Sequence, residues 1–468
     1  MRYSPLPSCP SWNRCDSVIG RFDVHCLGSR FWFYRFFVSG FLILTFYLLP
    51  FTFHLSFAEE YKFEVSEFEK KPYHIGGYIE FCPVLFCLDK NSSLYKLNFY
   101  DKSPGCITKQ YNGNLQLEGS LEKGILRAYM KTFTHYTNSY QTETIKTTVF
   151  EGKVSIKPSD SFIVEGGKKT FNWGKGYAWN PAAFIDRKKE PNDPELSREG
   201  FIVGSLDFTK SLSGSLRAFS FTAVLIPVYS GMNDDFGELD HLNFASKFYF
   251  LLYDTDIDLM FLTGGSKTTR YGMDFSRNLA SNFEVHGEFS WINNFKKAIT
   301  DSSDNISQNR YNAINYLIGL RYLTEKNITF IFEYCHNGTG YSTEEMKDYF
   351  AFVDKAYETY MSNGNKLMLK KAKNLASNAY GRTNPGKNYI YLRISQKDPF
   401  DILYWKPAVT LIANVDDKSF SLIPEILYTG ITNFEFRLRG GLIVGSHGSE
   451  YGEKQNDYGM DFRVRYYF

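Results

Sequence analysis

Few side chains in this sequence are spaced for covalent chemistry. Gly445-Ser446-His447-Gly448-Ser449 sets serine beside histidine, the pairing that an acyl-transfer nucleophile and its base would use. Neighbouring serine and histidine do not make a triad without an oriented acid, so an esterase is the minor reading. The chain has no HExxH, no Walker loop, no GxGxxG, and no Cys or His pair at metal-ligand spacing, so it points to no cofactor and no metal. What it does carry is ionisable groups two residues apart: Glu284, His286 and Glu288; Glu435, Arg437 and Arg439; Asp461, Arg463 and Arg465. On extended backbone, residues i, i+2 and i+4 share one face. Each triplet is therefore a row of charge, and such rows line a water path that selects among solutes or ions. A structural network inside a closed wall is the alternative.

The elements that must hold these rows follow from the residues between them. Tyr458, Met460, Phe462, Val464, Tyr466 and Phe468 fall on one face, with Asp461, Arg463, Arg465 and Tyr467 on the other. Lipid on one side and a wet lumen on the other explain both faces at once. A charge at Val464 should then be penalised, whereas Arg465, in water, should be replaceable without loss of folding. The same alternation recurs at 283–291, 328–334, 419–428 and 434–442. Nineteen strand candidates result, including 73–88 and 94–100. Bacterial single-chain barrels have even counts, so the expectation is an all-β, single antiparallel transmembrane barrel of about 18 strands, with 16 possible. The Cys-bearing segment 73–88 is the weakest candidate, as an extension or merged with 94–100. Connections alternate between short (158–160, 211–215, 279–280, 323–326, 429–433) and long (171–199, 229–243, 294–309, 338–387, 446–457), which places Phe468 at the short-turn, periplasmic end.

Bulk properties agree. The 468 residues include 34 Tyr, 43 Phe and 6 Trp, 18% of the chain, with a net charge of +2. A mean hydropathy of −0.32 excludes a polytopic helical membrane protein, and the charge balance argues against a nucleic-acid partner. Residues 36–58 are uncharged, follow Arg30 and Arg35, and end Ser56-Phe57-Ala58 before Glu59. They predict a signal peptide over 1–58, cleaved after Ala58, with a long n-region that a misassigned start would explain; an uncleaved anchor is the alternative. The mature domain is then 59–468, with 48 basic against 49 acidic residues. Of its cysteines, Cys82 and Cys87 are too far apart along one strand to bridge, while an oxidising compartment leaves a bridge from either to Cys106 open.

Two insertions interrupt the strand pattern. Segment 171–199 holds Trp173, Lys175, Trp179, Asp186 and Arg187 among glycines and further charges. It is either a constriction loop folded into the lumen or a rim loop with its tryptophans at the membrane interface. Segment 343–379 has apolar residues at helical spacing, an N-cap signal at Ser342/Thr343 and Glu345, and Gly364 between its halves. It predicts a helical hairpin in an outer loop, outside the hydrocarbon layer.

The leader, the repeated dyad strands and the terminal Val464-Arg465-Tyr466-Tyr467-Phe468 together resemble Gram-negative outer-membrane porin-type proteins. The stretch Gly167–Pro181, with Asp193-Pro194-Glu195 and Arg198-Glu199-Gly200, is similar to a motif of a poorly characterised porin-like group. The resemblance implies a channel for passive diffusion of small hydrophilic solutes in the cell outer membrane, with lipid around it and Phe468 as the signal read by the barrel-assembly machinery. It carries over no catalytic or ligand residue and leaves the oligomeric state open. The paired helices depart from general porins. They motivate a second reading, a barrel scaffold or conduit sheath for a partner such as an export or electron-transfer complex.

Overall fold

The computed structural model describes residues 72–301 and 305–468; the expected leader and the cleavage site after Ala58 lie outside the described residues. Strands β1 (Tyr73–Leu88), β2 (Ile107–Lys123), β3 (Leu126–Ser139), β4 (Glu143–Ser159), β5 (Phe162–Lys169) and β6 (Phe201–Ser211) form the first third of the wall. Next come β7 (Leu216–Val228), β8 (His241–Leu252), β9 (Thr255–Thr263), β10 (Arg270–Ala280), β11 (Phe283–Thr300) and β12 (Ile306–Leu323). The rest is β13 (Ile328–Asn337), β14 (Asn388–Gln396), β15 (Trp405–Asn414), β16 (Ser419–Tyr428), β17 (Phe434–Val444) and β18 (Asn456–Tyr467). Among the described residues these eighteen strands make one sheet in sequence order, and β1 pairs antiparallel with both β2 and β18. The barrel is closed.

Alternation sets the two surfaces. On β18 the side chains of Met460, Phe462 and Tyr466 are exposed while Asp461 and Arg463 are buried; on β1 Ile75, Ile79 and Phe81 are exposed and Glu80 is buried. An exterior of exposed Ile, Phe and Tyr over a polar interior is the inverse of a water-soluble barrel and suits a lipid surround. At the short-turn end, ring pairs such as Trp405–Tyr428 and Phe434–Tyr466, 5.0 and 4.9 Å between centroids, form part of an aromatic band. Phe468 lies in that band, its backbone exchanging hydrogen bonds of 3.1 Å with Gly77 across the seam.

Two strand-stage expectations change. Segment 73–88 is β1 and closes the wall, whereas 94–100 is the helix α1 (Ser93–Phe99), with the Ser92 hydroxyl accepting from the Tyr95 amide at 3.2 Å. Tyr95, Leu97 and Phe99 mimic a strand's period, but a capped seven-residue helix buries all three. The expected long loop 294–309 is mostly strand: β11 and β12 continue past a bulge between Ile292 and Phe295. That extension carries Ala298 and Ile299 out to pack on helices α2 (Thr343–Asn363) and α3 (Leu367–Leu375).

The helical pair is where the sequence placed it, between β13 and β14 at the long-loop end. Ser342 and Glu345 form a reciprocal capping box, and Gly364, at φ 72°, ends α2 by donating to the Tyr360 carbonyl at 2.8 Å. Tyr349, Val353 and Ala356 of α2 pack on Leu369, Ala372 and Leu375 of α3 and on Leu97 of α1. The four cysteines among the described residues form no disulfide.

Candidate functional site

The connection between β5 and β6 turns inward and crosses the lumen. Its first turn is tied by Asp186, whose carboxylate accepts from the amides of Phe171, Asn172 and Trp173 at 2.9, 3.0 and 2.8 Å. Glu288 of β11 then accepts from the amides of Gly176 at 2.7 Å and Ala182 at 3.0 Å. The approach requires glycine: a Cβ on Gly174, at φ 91°, would stand 2.7 Å from a Glu288 oxygen, and one on Gly176 only 2.3 Å from the Trp179 carbonyl. Glu333 of β13 accepts from the amides of Tyr177 and Ala178 and bonds His286 Nε2 at 2.9 Å. Lys175 reaches Asp258 of β9 at 3.2 Å, and Trp179 stacks near Tyr389 and Tyr391 of β14, both centroids 6.0 Å away. Asp193, further along, meets Arg437 of β17 at 2.6 Å. Through these contacts the segment reaches five strands, from β9 round to β17.

Against the wall β6–β9 the contact is apolar. Trp173, Phe184 and Ile185 are buried on Val203, Val224, Ile226, Ala245, Met260 and Leu262. Burying side chains of this size stabilises by about 1.5–3 kcal/mol each, so the segment is held in place on both sides. Arg187 fixes its return leg, donating to the Glu199 carbonyl at 3.0 Å and pairing with Asp235.

The rows of charge sort into two groups. His286 and Glu288 are sealed beneath the crossing segment, 0% and 4% exposed, and act as its anchors. Glu284 beside them accepts from the Tyr177 hydroxyl at 3.2 Å. The remaining rows meet at the short-turn mouth in a shared ion-pair network whose shortest contacts are Arg465–Glu80 at 2.6 Å, Arg463–Glu435 at 2.5 Å, Arg439–Asp461 at 2.7 Å, Arg437–Asp193 at 2.6 Å and Arg393–Glu425 at 2.8 Å. These charges do not stand free in water, as the bare alternation suggested; each is matched. Burial opposes ionisation of Asp193, but the Arg437 charge and hydrogen bond, with Arg439 and Arg463 behind, outweigh it and hold the carboxyl below its usual range. Glu80, Glu333 and Glu425 were not singled out from the sequence, and Asp193 was named only within a motif, with no partner assigned. Period two tells which face each occupies, but not that a partner waits there.

Two cavities flank the segment. The one on the long-loop side is about 450 Å³ and includes Trp179, Lys188, Lys267 and Arg382 in its lining. The one on the short-turn side is about 550 Å³ and includes Tyr177, Asp193, Arg393 and Arg463.

Among the described residues no hydrogen bond joins His447 to a serine hydroxyl, although an acid pairs with it. The Ser449 hydroxyl donates to the Ser446 carbonyl at 2.6 Å, while His447, exposed, pairs through Nδ1 with Glu453 at 2.5 Å.

No known sequence family matches the chain, and no curated protein matches it. The solved structures it is similar to are bacterial outer-membrane porins. A triple mutant of the Rhodopseudomonas blastica porin aligns with 85% of this chain and 100% of its own, at 9% identity and a TM-score of 0.41. Salmonella typhi OmpF in complex with daunomycin aligns with 85% and 97%, at 8% and 0.41, and Acinetobacter baumannii OccAB1 with 85% and 97%, at 9% and 0.48. Likeness at that level adds no argument about solutes; the barrel itself rests on the strand pairing.

Proposed function

We propose that the chain is an outer-membrane channel for passive diffusion of small hydrophilic solutes, with 171–199 as its constriction, and that it is not an enzyme. The observation that carries the reading is the divided lumen: one anchored segment with a charged cavity on either side. A barrel that served only as a wall would fill this space with apolar side chains, whereas a hollow lined by Arg, Lys, Asp and Glu keeps a solute hydrated. In this reading 1–58 is the export signal, cleaved after Ala58, lipid covers the apolar exterior, and the assembly machinery reads Phe468. The pore-lining residues are those of the short-turn mouth: Glu435, Arg437, Arg439, Asp461, Arg463 and Arg465. Trp179 of the crossing segment lines the long-loop-side cavity, whereas Lys175 is turned to Asp258 and lines neither cavity.

Two observations weigh against the sheath reading. The lumen that a threaded partner would need is occupied by the chain's own segment, and the apolar faces of α2 and α3 are packed on each other and on α1. Swelling of liposomes carrying the refolded protein, in sugars of graded size, tests the channel. Swelling should fall with solute size and rise when 171–199 is replaced by a short Gly/Ser linker. A folded barrel that admits no sugar in either form would overturn the channel and favour the sheath.

A further inference from the structure

We propose that the cavity on the long-loop side binds a small oxyanion, a phosphate or a dicarboxylate, between Lys188, Lys267, Arg270 and Arg382. The proposal rests on the channel reading for how the ligand arrives, though not for its binding.

The four cations come from three separate parts of the chain, namely the crossing segment, the connection into β10 with its first residue, and the β13–β14 connection, yet they line one cavity. At the short-turn mouth five arginines have five acids; here the matching fails. The acidic lining residues are Asp186 and Glu190, and both are engaged elsewhere. Asp186 holds three backbone amides, and Glu190 accepts from Asn192 at 2.8 Å and Thr383 at 3.1 Å. Asp235 acts on Lys267 only from a distance and is paired with Arg187.

The cations themselves leave donors unused. Lys188 has no hydrogen bond and no ion pair, and its side chain opens onto the cavity. The Nε atoms of Arg270 and Arg382 are buried without a partner, as are those of Arg437 and Arg463 at the other mouth. Among the described residues, however, no carboxylate pairs with Arg270 or Arg382, and Arg382 donates only to the Thr339 carbonyl, at 2.5 Å. Lys267 donates to the Phe184 carbonyl at 3.2 Å and lies 3.7 Å over the Phe236 ring, which fixes its position without neutralising it. Lys189, a fifth cation on the wall, is bonded to the Gly176 carbonyl. The cluster repels itself: desolvation within the barrel, then the charges of Arg382 and Arg270, lower the Lys188 ammonium, although its side chain stands exposed to the cavity. Burial, then Arg270 and Lys188, push Lys267 well below its ordinary value.

A group of neighbouring cations lining one cavity, with free N–H donors, is relieved by an anion that accepts from several of them at once. Guanidinium forks suit planar or tetrahedral oxyanions, and a 450 Å³ space suits a small ligand, not a polymer. The outer membrane's lipid phosphates are excluded because the cations line the lumen, not the exterior wall.

Titration calorimetry on the mature protein in detergent, at fixed ionic strength, tests this with inorganic phosphate in one arm and succinate in the other. Saturable binding is expected in at least one arm, and the stronger arm identifies the ligand class. Lys188→Met and Arg382→Gln should each weaken it by about tenfold or more, since each removes a charge-assisted donor, while Lys188→Arg should preserve it. Heat-modifiable migration of each variant reports folding, and Lys188 makes no bond whose loss would disturb it. No binding of either anion at tens of millimolar, or equal affinity in wild type and Lys188→Met, overturns the site. Sugar-driven swelling without anion binding leaves the channel standing and removes the site; anion binding without swelling does the reverse.

Discussion

Glu288→Gln isolates the attachment of the crossing segment. The side chain keeps its shape but has one acceptor oxygen where the carboxylate has two, and both oxygens are in use, on Gly176 and Ala182. One of those amides must therefore face an NH2 group in a site that is 4% exposed. Exchanging a charge-assisted bond for a buried donor without an acceptor costs about 2–4 kcal/mol. That raises the population of the detached segment by roughly 30- to 900-fold. The wall should not change, because the β10–β11–β12 ladders use backbone groups, and Glu333 still holds Tyr177 and Ala178. Hydrogen exchange read by mass spectrometry should show faster exchange at 174–183 by that order, with β11 and β12 unaltered. Unchanged exchange at 174–183, or loss of protection throughout the barrel, would refute the anchoring argument.

Other outcomes follow from the same geometry. Val464→Arg, on the lipid-facing side of β18 two residues in from the aromatic band, should cost about 1–2 kcal/mol in urea-dependent refolding into liposomes, between the interface and midplane penalties. Arg465→Ser should also cost about 1–3 kcal/mol, because buried Glu80 loses its closest cation; refolding indistinguishable from wild type would show that the pair contributes nothing. Asp193 has a lowered pKa when folded, so its stabilisation is present above the unfolded value near 4 and is lost as pH falls through the folded one. Exchange at 190–199 should accordingly be protected at pH 5 and lose protection as pH drops below about 4. Ser342→Ala removes one half of the capping box and should destabilise the start of α2 by about 1 kcal/mol, visible as faster exchange at 343–349.

The wall was legible because a barrel strand needs only an alternation, which β18 shows without interruption and β11 shows up to its bulge after Ile292. The misread 94–100 had the right spacing at 95, 97 and 99 but also an N-cap serine just before it, which favours helix. The position of 171–199 was not legible from its own residues: its anchors, Glu288 and Glu333, lie 112 and 156 positions from the amides they hold. A signal was present elsewhere. Phe221–Val228 is apolar on both faces, and a strand between lipid and a wet lumen has no use for Val224, Ile226 and Val228 inside. Such a strand implies that something covers the inner face, and the crossing segment does. The unmatched cations at 188, 267, 270 and 382 could not be grouped from sequence, since the fold alone brings them to one cavity.

Single-channel recording of the protein beginning at Glu59, alone in a planar bilayer, addresses most directly whether the lumen conducts. Stepwise conductance without any partner is predicted, small in the intact protein and several-fold larger once 171–199 is excised. Silence from both forms, with heat-modifiable migration confirming a folded barrel, would contradict it.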